Sequence, residues 1–324
     1  MSYGLKIITL VTLLSIARTG FSQDPEFSQF YANPLYLNPA LAGATSGPRA
    51  VAGYRNQWPG MGNAFITYHA SYDMYISQLH GGAGLDITYD QAGSGNLNTL
   101  IISAMYAYKF NITDRLQASG AIKGGYYQWN LATTKLTFGN PGNWDPILSD
   151  YDYYNMVGVP DFGTGIFLSY DNLVYGGIAV DHLAEPNISF SSINSIPLYR
   201  KFTAHAGSVI NLRSGGSDED REFSISPNVL YQQQFKFHQL NLGFYLTIDP
   251  VILGAWYRYN FENSDAVIPM IGFHWKNLHV GYSYDYSLSK LKDASGGAHE
   301  ISASWQFAAI EKRRVIRAIK CPRF

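Results

Sequence analysis

Near the end of the chain, His279, Ser283, Asp285 and Ser302 supply the side-chain types of acyl transfer: a hydroxyl to attack, an imidazole to take its proton and a carboxylate to orient the imidazole. No nucleophile elbow or other local signature surrounds either serine, so an outer-membrane hydrolase ranks last among the readings of this sequence. Metal chemistry is no better served. The eight His lack a His-Glu-x-x-His spacing, and Asp145, Asp150 and Asp152 crowd one segment without the glycine and closing glutamate of a calcium loop. Gly81-Gly82-Ala83-Gly84 sits inside a strand pattern, where glycines permit close packing or bending, and not between a strand and a helix, where they would cradle phosphate. No catalytic residue, cofactor or metal ligand is therefore assigned.

Two other groups point to contact and not to turnover. Lys109, Lys123, Asp181, His205, Asn241, His274, His279, Asp285 and Glu300 fall at alternate positions of apolar segments, the mixed lining expected of a polar lumen. From Glu311 onward, Lys312, Arg313, Arg314, Arg317, Lys320 and Arg323 oppose one acid, a basic tail suited to an acidic protein, the cell wall or anionic outer-membrane lipid. The lone Cys321 allows no internal disulfide. A net charge of −1 gives no argument for nucleic acid.

Whatever positions these groups is built from β-structure behind an export signal. Residues 1–22 read as a signal peptide: Lys6 precedes an apolar run, Ile7–Ala17, too short to span a bilayer, and Gly20 and Ser22 place small residues for a cut before Gln23. Beyond it no apolar stretch has the length of a membrane helix. Charged residues make up only 15% of the chain and aromatic residues another 15%, below and above what a soluble domain carries, respectively. Period-two alternation marks fourteen segments: 49–58, 64–73, 79–90, 97–110, 115–131, 161–171, 173–184, 199–212, 221–234, 236–248, 251–262, 265–276, 278–288 and 298–308. Leu278, Val280, Tyr282, Tyr284 and Tyr286 form one such stripe, and Leu240, Leu242, Phe244, Leu246 and Ile248 another.

Short links at Ile112–Asp114, Asp171-Asn172, Asp249-Pro250 and Lys276-Asn277 all fall on one side of this series. The longest, 132–160 and 185–197, fall on the other; the acidic link 213–220 is an exception. That asymmetry predicts an all-β fold, a transmembrane antiparallel up-and-down β-barrel of about 14 strands over residues 49–308, with both termini periplasmic. Trp129, Trp256, Trp275 and Trp305 are expected at the membrane interface. Residues 23–48 form a Pro/Asn-rich periplasmic lead-in, able to act as a plug or edge at the periplasmic mouth, and 309–324 form the basic periplasmic tail. In the lead-in, two Asn-Pro steps are expected to impose turn or extended geometry and to forbid a helix.

The lead-in is also the most specific part of the sequence. Phe27–Tyr31 (FSQFY), Asn33-Pro34, Asn38-Pro39 and Tyr54–Trp58 (YRNQW), with the closing Lys320–Phe324, resemble the PorP/SprF family. These are outer-membrane barrels of the type IX secretion system and gliding apparatus of Bacteroidota, and the resemblance spans essentially the whole mature chain. It implies a non-enzymatic component that anchors or displays a secreted surface protein or adhesin. On its periplasmic side such a component would meet an OmpA-like peptidoglycan-binding lipoprotein or the secretion machinery. The residues singled out for partner contact are Asn33, Pro34, Asn38, Pro39, Arg55, Asn56, Gln57, Trp58, Arg313, Arg314, Arg317, Lys320 and Arg323, with links 132–160 and 185–197 facing the cell surface. The alternative is a transport channel of porin or fatty-acid-uptake type, in which the polar lumen itself is the function.

Overall fold

The alternating segments become one closed wall. The computed structural model describes residues 24–62, 65–93, 97–132, 156–190, 195–212, 223–261, 263–288 and 295–308. Its strands are β1 (Arg49–Gln57), β2 (Phe65–Ile76), β3 (Gly81–Ala92), β4 (Leu97–Asn111), β5 (Leu116–Leu131), β6 (Met156–Tyr170), β7 (Val174–Asp181), β8 (Lys201–Ser208), β9 (Ile210–Asn211), β10 (Phe223–Gln234), β11 (Phe237–Ile248), β12 (Val251–Tyr259), β13 (Ser264–Trp275), β14 (Leu278–Ser287) and β15 (Ala298–Gln306). Segments β8 and β9 are one stave broken at Val209, so the ring has fourteen staves. The break has a local cause. Both parts pair with β10, at Asn228↔Gly207 and Ile225↔Ile210, and between them β10 carries Pro227, which has no N–H to give.

Every neighbouring pair is antiparallel. The ring closes where β1 runs against β15 from Arg49↔Gln306 to Gln57↔Ala298, leaving no free edge. Because side chains alternate across a strand, each stave presents one row outward and one inward. On β15, Ile301 and Trp305 are exposed while Glu300 and Ser302 are buried; on β11, Leu242 and Phe244 point out while Asn241 and Tyr245 point in.

The two mouths differ. One, the turn mouth, carries the tight links 77–80, 112–115, 171–173, 249–250 and 276–277, together with the start of β1 and the end of β15; the other, the loop mouth, carries the end of β5, the start of β6 and residues 182–190 and 195–200. Trp275 and Trp305 project outward beside the turn mouth, as an interfacial girdle requires. The other two tryptophans correct the expectation. Trp256 is 2% exposed and faces the lumen, and Trp129 stacks on Phe190 of the link that follows β7.

Candidate functional site: the filled lumen

Residues 24–44 lie inside the barrel, almost all of them buried. Asp24 begins at the loop mouth, where its N–H donates to Gln234 Oε1 at 3.0 Å. The segment then descends through the lumen to the turn mouth, where Pro48 O accepts from Phe307 N at 2.8 Å. The lead-in is thus a plug along the barrel axis and not an appendage at one mouth. The first and last described residues, Asp24 and Ala308, lie at opposite mouths.

The two Asn-Pro steps shape the descent. Pro34 opens a single helical turn, Pro34–Leu37, and Pro39 opens a 3₁₀ turn, Pro39–Leu41. The expectation that Pro would forbid a helix fails here because its fixed φ and missing N–H are costless at the first helical position. Asn38 is extended, as a residue before Pro prefers, and its side-chain oxygen accepts from Ala40 N at 2.9 Å.

Three sets of wall contacts hold the plug. Near the loop mouth, His182 Nε2 meets Asp24 at 2.9 Å, its Nδ1 meets Asp161 at 3.0 Å, and Lys201 Nζ lies 3.4 Å from Asp24 and 4.3 Å from the Tyr36 ring centre. Burial opposes charge on both Asp24 and His182, but their mutual attraction outweighs it. His182 is pushed up to about 10, and Asp24, with Lys201 also beside it, falls below the usual carboxylate range.

On the facing wall, Arg55 and Arg258 converge on Asp285, each at 2.9 Å, and Arg55 also meets Glu300 at 3.1 Å. The plug completes this cluster: Ser28 Oγ accepts from Arg55 at 2.8 Å and Arg258 at 2.7 Å and donates to Asp285, while the N–H groups of Ser28 and Gln29 donate to Glu300. Buried charges are tolerated only when paired and hydrogen-bonded in this way.

The third set is close packing. A Cβ added at Gly82 would stand 2.0 Å from Ala42 O, and one at Gly165 2.2 Å from Asn38 Oδ1, so inward glycines leave the track along which the 3₁₀ turn lies. Lower down, Asp73 accepts from Gly43 N at 2.7 Å and pairs with Arg49 at 2.9 Å. Apolar side chains fill the rest. Phe30 and Tyr31 pack on Trp256, and Leu35, Leu37 and Leu41 are nearly inaccessible, each such burial stabilising by about 1.5–3 kcal/mol. The link after β7 adds to the filling. Ile188 and Leu198 fold inward against Ile101 and Tyr127, so part of the segment expected to face the surface lies within the mouth.

The sequence-derived partner residues are redistributed by this arrangement. Asn33, Pro34, Asn38 and Pro39 are buried in the plug, and Arg55, 1% exposed, belongs to the ion cluster. Asn56, Gln57 and Trp58 lie where β1 reaches the loop mouth; Trp58 N donates to Gly297 O at 2.8 Å and its ring meets Phe65 edge-on. Arg313, Arg314, Arg317, Lys320 and Arg323 lie outside the described residues, as do Asp145, Asp150 and Asp152. Among the inward residues, Lys109, Asp181, His205, Asn241, His279, Asp285 and Glu300 are buried on the lumen face, Lys123 pairs with Asp181, and His274 stacks on His279 at 4.2 Å.

The imagined acyl-transfer set is not assembled. His279 and Asp285 are six residues apart on β14, about 20 Å at the usual strand rise, and Asp285 is already engaged by two arginines. Among the described residues no group of three or more His, Cys, Asp or Glu side chains is placed to hold a metal. Asp24, His182, Asp161 and Arg258 were not singled out from the sequence. For Arg258 a signal existed, since a charge inside an alternating strand of a barrel belongs on the lumen face.

A closed antiparallel barrel whose own N-terminal segment occupies the lumen defines a plugged β-barrel of the membrane-spanning type. The family model described as type IX secretion system membrane protein PorP/SprF matches residues 19–305, and the chain belongs to that family. No curated relative matches the sequence. Among solved structures, the chain is similar to the outer membrane protein Omp33 of Acinetobacter baumannii, at 10% identity over 82% of this chain and 100% of that one, with a TM-score of 0.45. It is also similar to the CymD monoaromatic hydrocarbon channel, at 10% identity over 85% and 93% of the two chains and a TM-score of 0.47. For BamA of Haemophilus ducreyi the identity is 11% over 80% and 70%, with a TM-score of 0.40.

Proposed function

We propose that this chain is a non-enzymatic outer-membrane component of the type IX secretion and gliding machinery. It holds or displays a secreted surface protein or adhesin at its loop mouth and connects at its turn mouth to a periplasmic peptidoglycan-binding lipoprotein or to the secretion machinery. The orientation follows the habit of such barrels, which keep short turns in the periplasm and long links outside. Family membership supplies the machinery. The observation that carries the reading over a transport channel is the filled lumen: a buried segment tied to one wall by the Asp24–His182 ion pair and to the other by the hydrogen bonds of Ser28 and Gln29 leaves a body suited to docking and not to conduction.

Crosslinking the tagged barrel in its native membrane, then identifying what co-purifies, tests this directly. Recovery of a secreted surface protein together with type IX components is expected. A barrel recovered alone, combined with steady single-channel conductance of the purified protein, would overturn the reading in favour of a channel.

A further inference from the structure

Every joint of the ring but one unites staves that follow each other in the chain. The exception is the seam between β1 and β15, where Arg55 lies directly opposite Glu300, 245 residues further along. No short link holds these two strands side by side, and the entropic cost of bringing them together grows with the length of chain between them.

The plug spans this seam from inside. Ser28 Oγ accepts from Arg55 of β1 at 2.8 Å and from Arg258 of β12 at 2.7 Å, and donates to Asp285 of β14, which uses the full hydrogen-bonding capacity of a hydroxyl. Gln29 Nε2 donates to the main-chain oxygen of Glu300 on β15 at 2.8 Å and to Ser283 on β14 at 3.2 Å, and Gln29 Oε1 accepts from Ser302 of β15. Two consecutive plug residues therefore grip both edges of the seam. Toward the turn mouth the plug runs on into β1, and Ser46 Oγ accepts from Gln306 of β15 at 2.7 Å. The ion pair across the seam depends on the same residues. Arg55 and Glu300 are each 1% exposed beneath Ser28 and Gln29; a lumen emptied at this height would admit water, and an ion pair in water adds little to stability.

We propose that Ser28 and Gln29 form a latch on the β1–β15 seam: seating the plug secures the closing joint, and withdrawing residues 24–29 toward the loop mouth loosens that joint ahead of the others. A pull on the first residues of the plug is thereby transmitted to the wall.

Hydrogen exchange of the full-length barrel in lipid bilayers, read by mass spectrometry, tests the latch. In Ser28→Ala with Gln29→Leu, the amides of 51–56 and 300–305 should exchange faster by about tenfold. Those of 66–71 and 86–91, in the β2–β3 joint that neither residue bonds, should not change. Ser119→Ala removes the 2.8 Å bond to Ala40 O, a plug contact on β5 away from the seam, and should leave both joints as they are. Equal acceleration at both joints, acceleration of the seam by Ser119→Ala as well, or an unchanged seam in the double variant would overturn the latch.

Should the double variant fail to close, a covalent bond across the seam decides. In a Cys321→Ser background, Ala52→Cys with Ala303→Cys, opposite each other on β1 and β15, should restore a heat-modifiable barrel after oxidation. Ala70→Cys with Ile87→Cys, opposite each other on β2 and β3, should not. Rescue by both pairs, or by neither, would equally overturn the latch.

Discussion

The Arg55 cluster gives the sharpest prediction. Replacing Arg55 by Met removes the 3.1 Å contact to Glu300, the 2.9 Å contact to Asp285 and the 2.8 Å bond to Ser28 Oγ. Asp285 keeps Arg258 at 2.9 Å, but Glu300, itself 1% exposed, keeps only the N–H groups of Ser28 and Gln29. Breaking a buried pair from one side costs about 3–5 kcal/mol, and the surviving Arg258 argues for the lower end, about 3 kcal/mol. Because Ser28 and Gln29 belong to the plug, much of that loss falls on its docking. At 1.4 kcal/mol per factor of ten, the undocked population rises by about a hundredfold. Two readouts follow. Trp256, packed on Phe30 at 5.0 Å, should show red-shifted emission at lower urea, and planar-bilayer recordings should show openings absent from the unmodified protein. Arg55→Met with Glu300→Gln, which neutralises both partners, should recover part of the loss. If Arg55→Met leaves the urea midpoint, the emission and the conductance unchanged, the claim that this cluster holds the plug is wrong.

Gly82→Val should expel the 3₁₀ turn, since its Cβ would stand 2.0 Å from a backbone oxygen, whereas Gly120→Val, with nothing within 4 Å, should be neutral; protease sensitivity of residues 24–45 separates the two. Docking of the plug's first residues should depend on pH through two groups. His182, raised from 6.5 to about 10, contributes fully below 6.5 and loses its contribution as pH climbs toward 10; Asp24, lowered from 3.8, contributes fully above that value and less as acid is added. Cleavage near Asp24 by a protease should therefore be slowest between about pH 4 and 6.5, and Asp24→Asn should flatten the profile. His279→Ala should leave any measured lipid or peptide cleavage unchanged, because the serine, histidine and acid are not brought together. Deleting residues 310–324 should weaken recovery of periplasmic partners from crosslinked membranes while the barrel remains heat-modifiable; undiminished recovery would remove the tail from the contact.

Much of the wall was legible because a strand exposes its period directly. Leu278 to Tyr286 and Leu240 to Ile248 each carry the apolar row that the structure turns outward, and each of the fourteen stretches marked by alternation overlaps one stave of the ring, with β2, β3, β4, β6 and β13 running past the marked bounds. The tight links at Asp171-Asn172 and Lys276-Asn277 were equally visible, and positive φ at all three of Asp171, Asn172 and Lys276 suits turn residues. The lead-in was visible as a distinct segment, but its place was not. Its Pro and Asn residues fix φ and local turns, and nothing local in them encodes which cavity will surround them. The pairing of Arg55 with Glu300 and Ser28, and of Asp24 with His182, joins residues more than 150 positions apart in most of its contacts.

Parity along each strand told which side chains face inward; only closure of the ring set which inward rows confront one another and what space remained between them. The sequence by itself therefore determined a barrel, its stave count and its polar lining, because these depend on alternation within single strands. The tertiary structure alone decided that the lining is spent on the chain's own N-terminal segment, because charge pairing across a lumen depends on where the ring brings distant strands together.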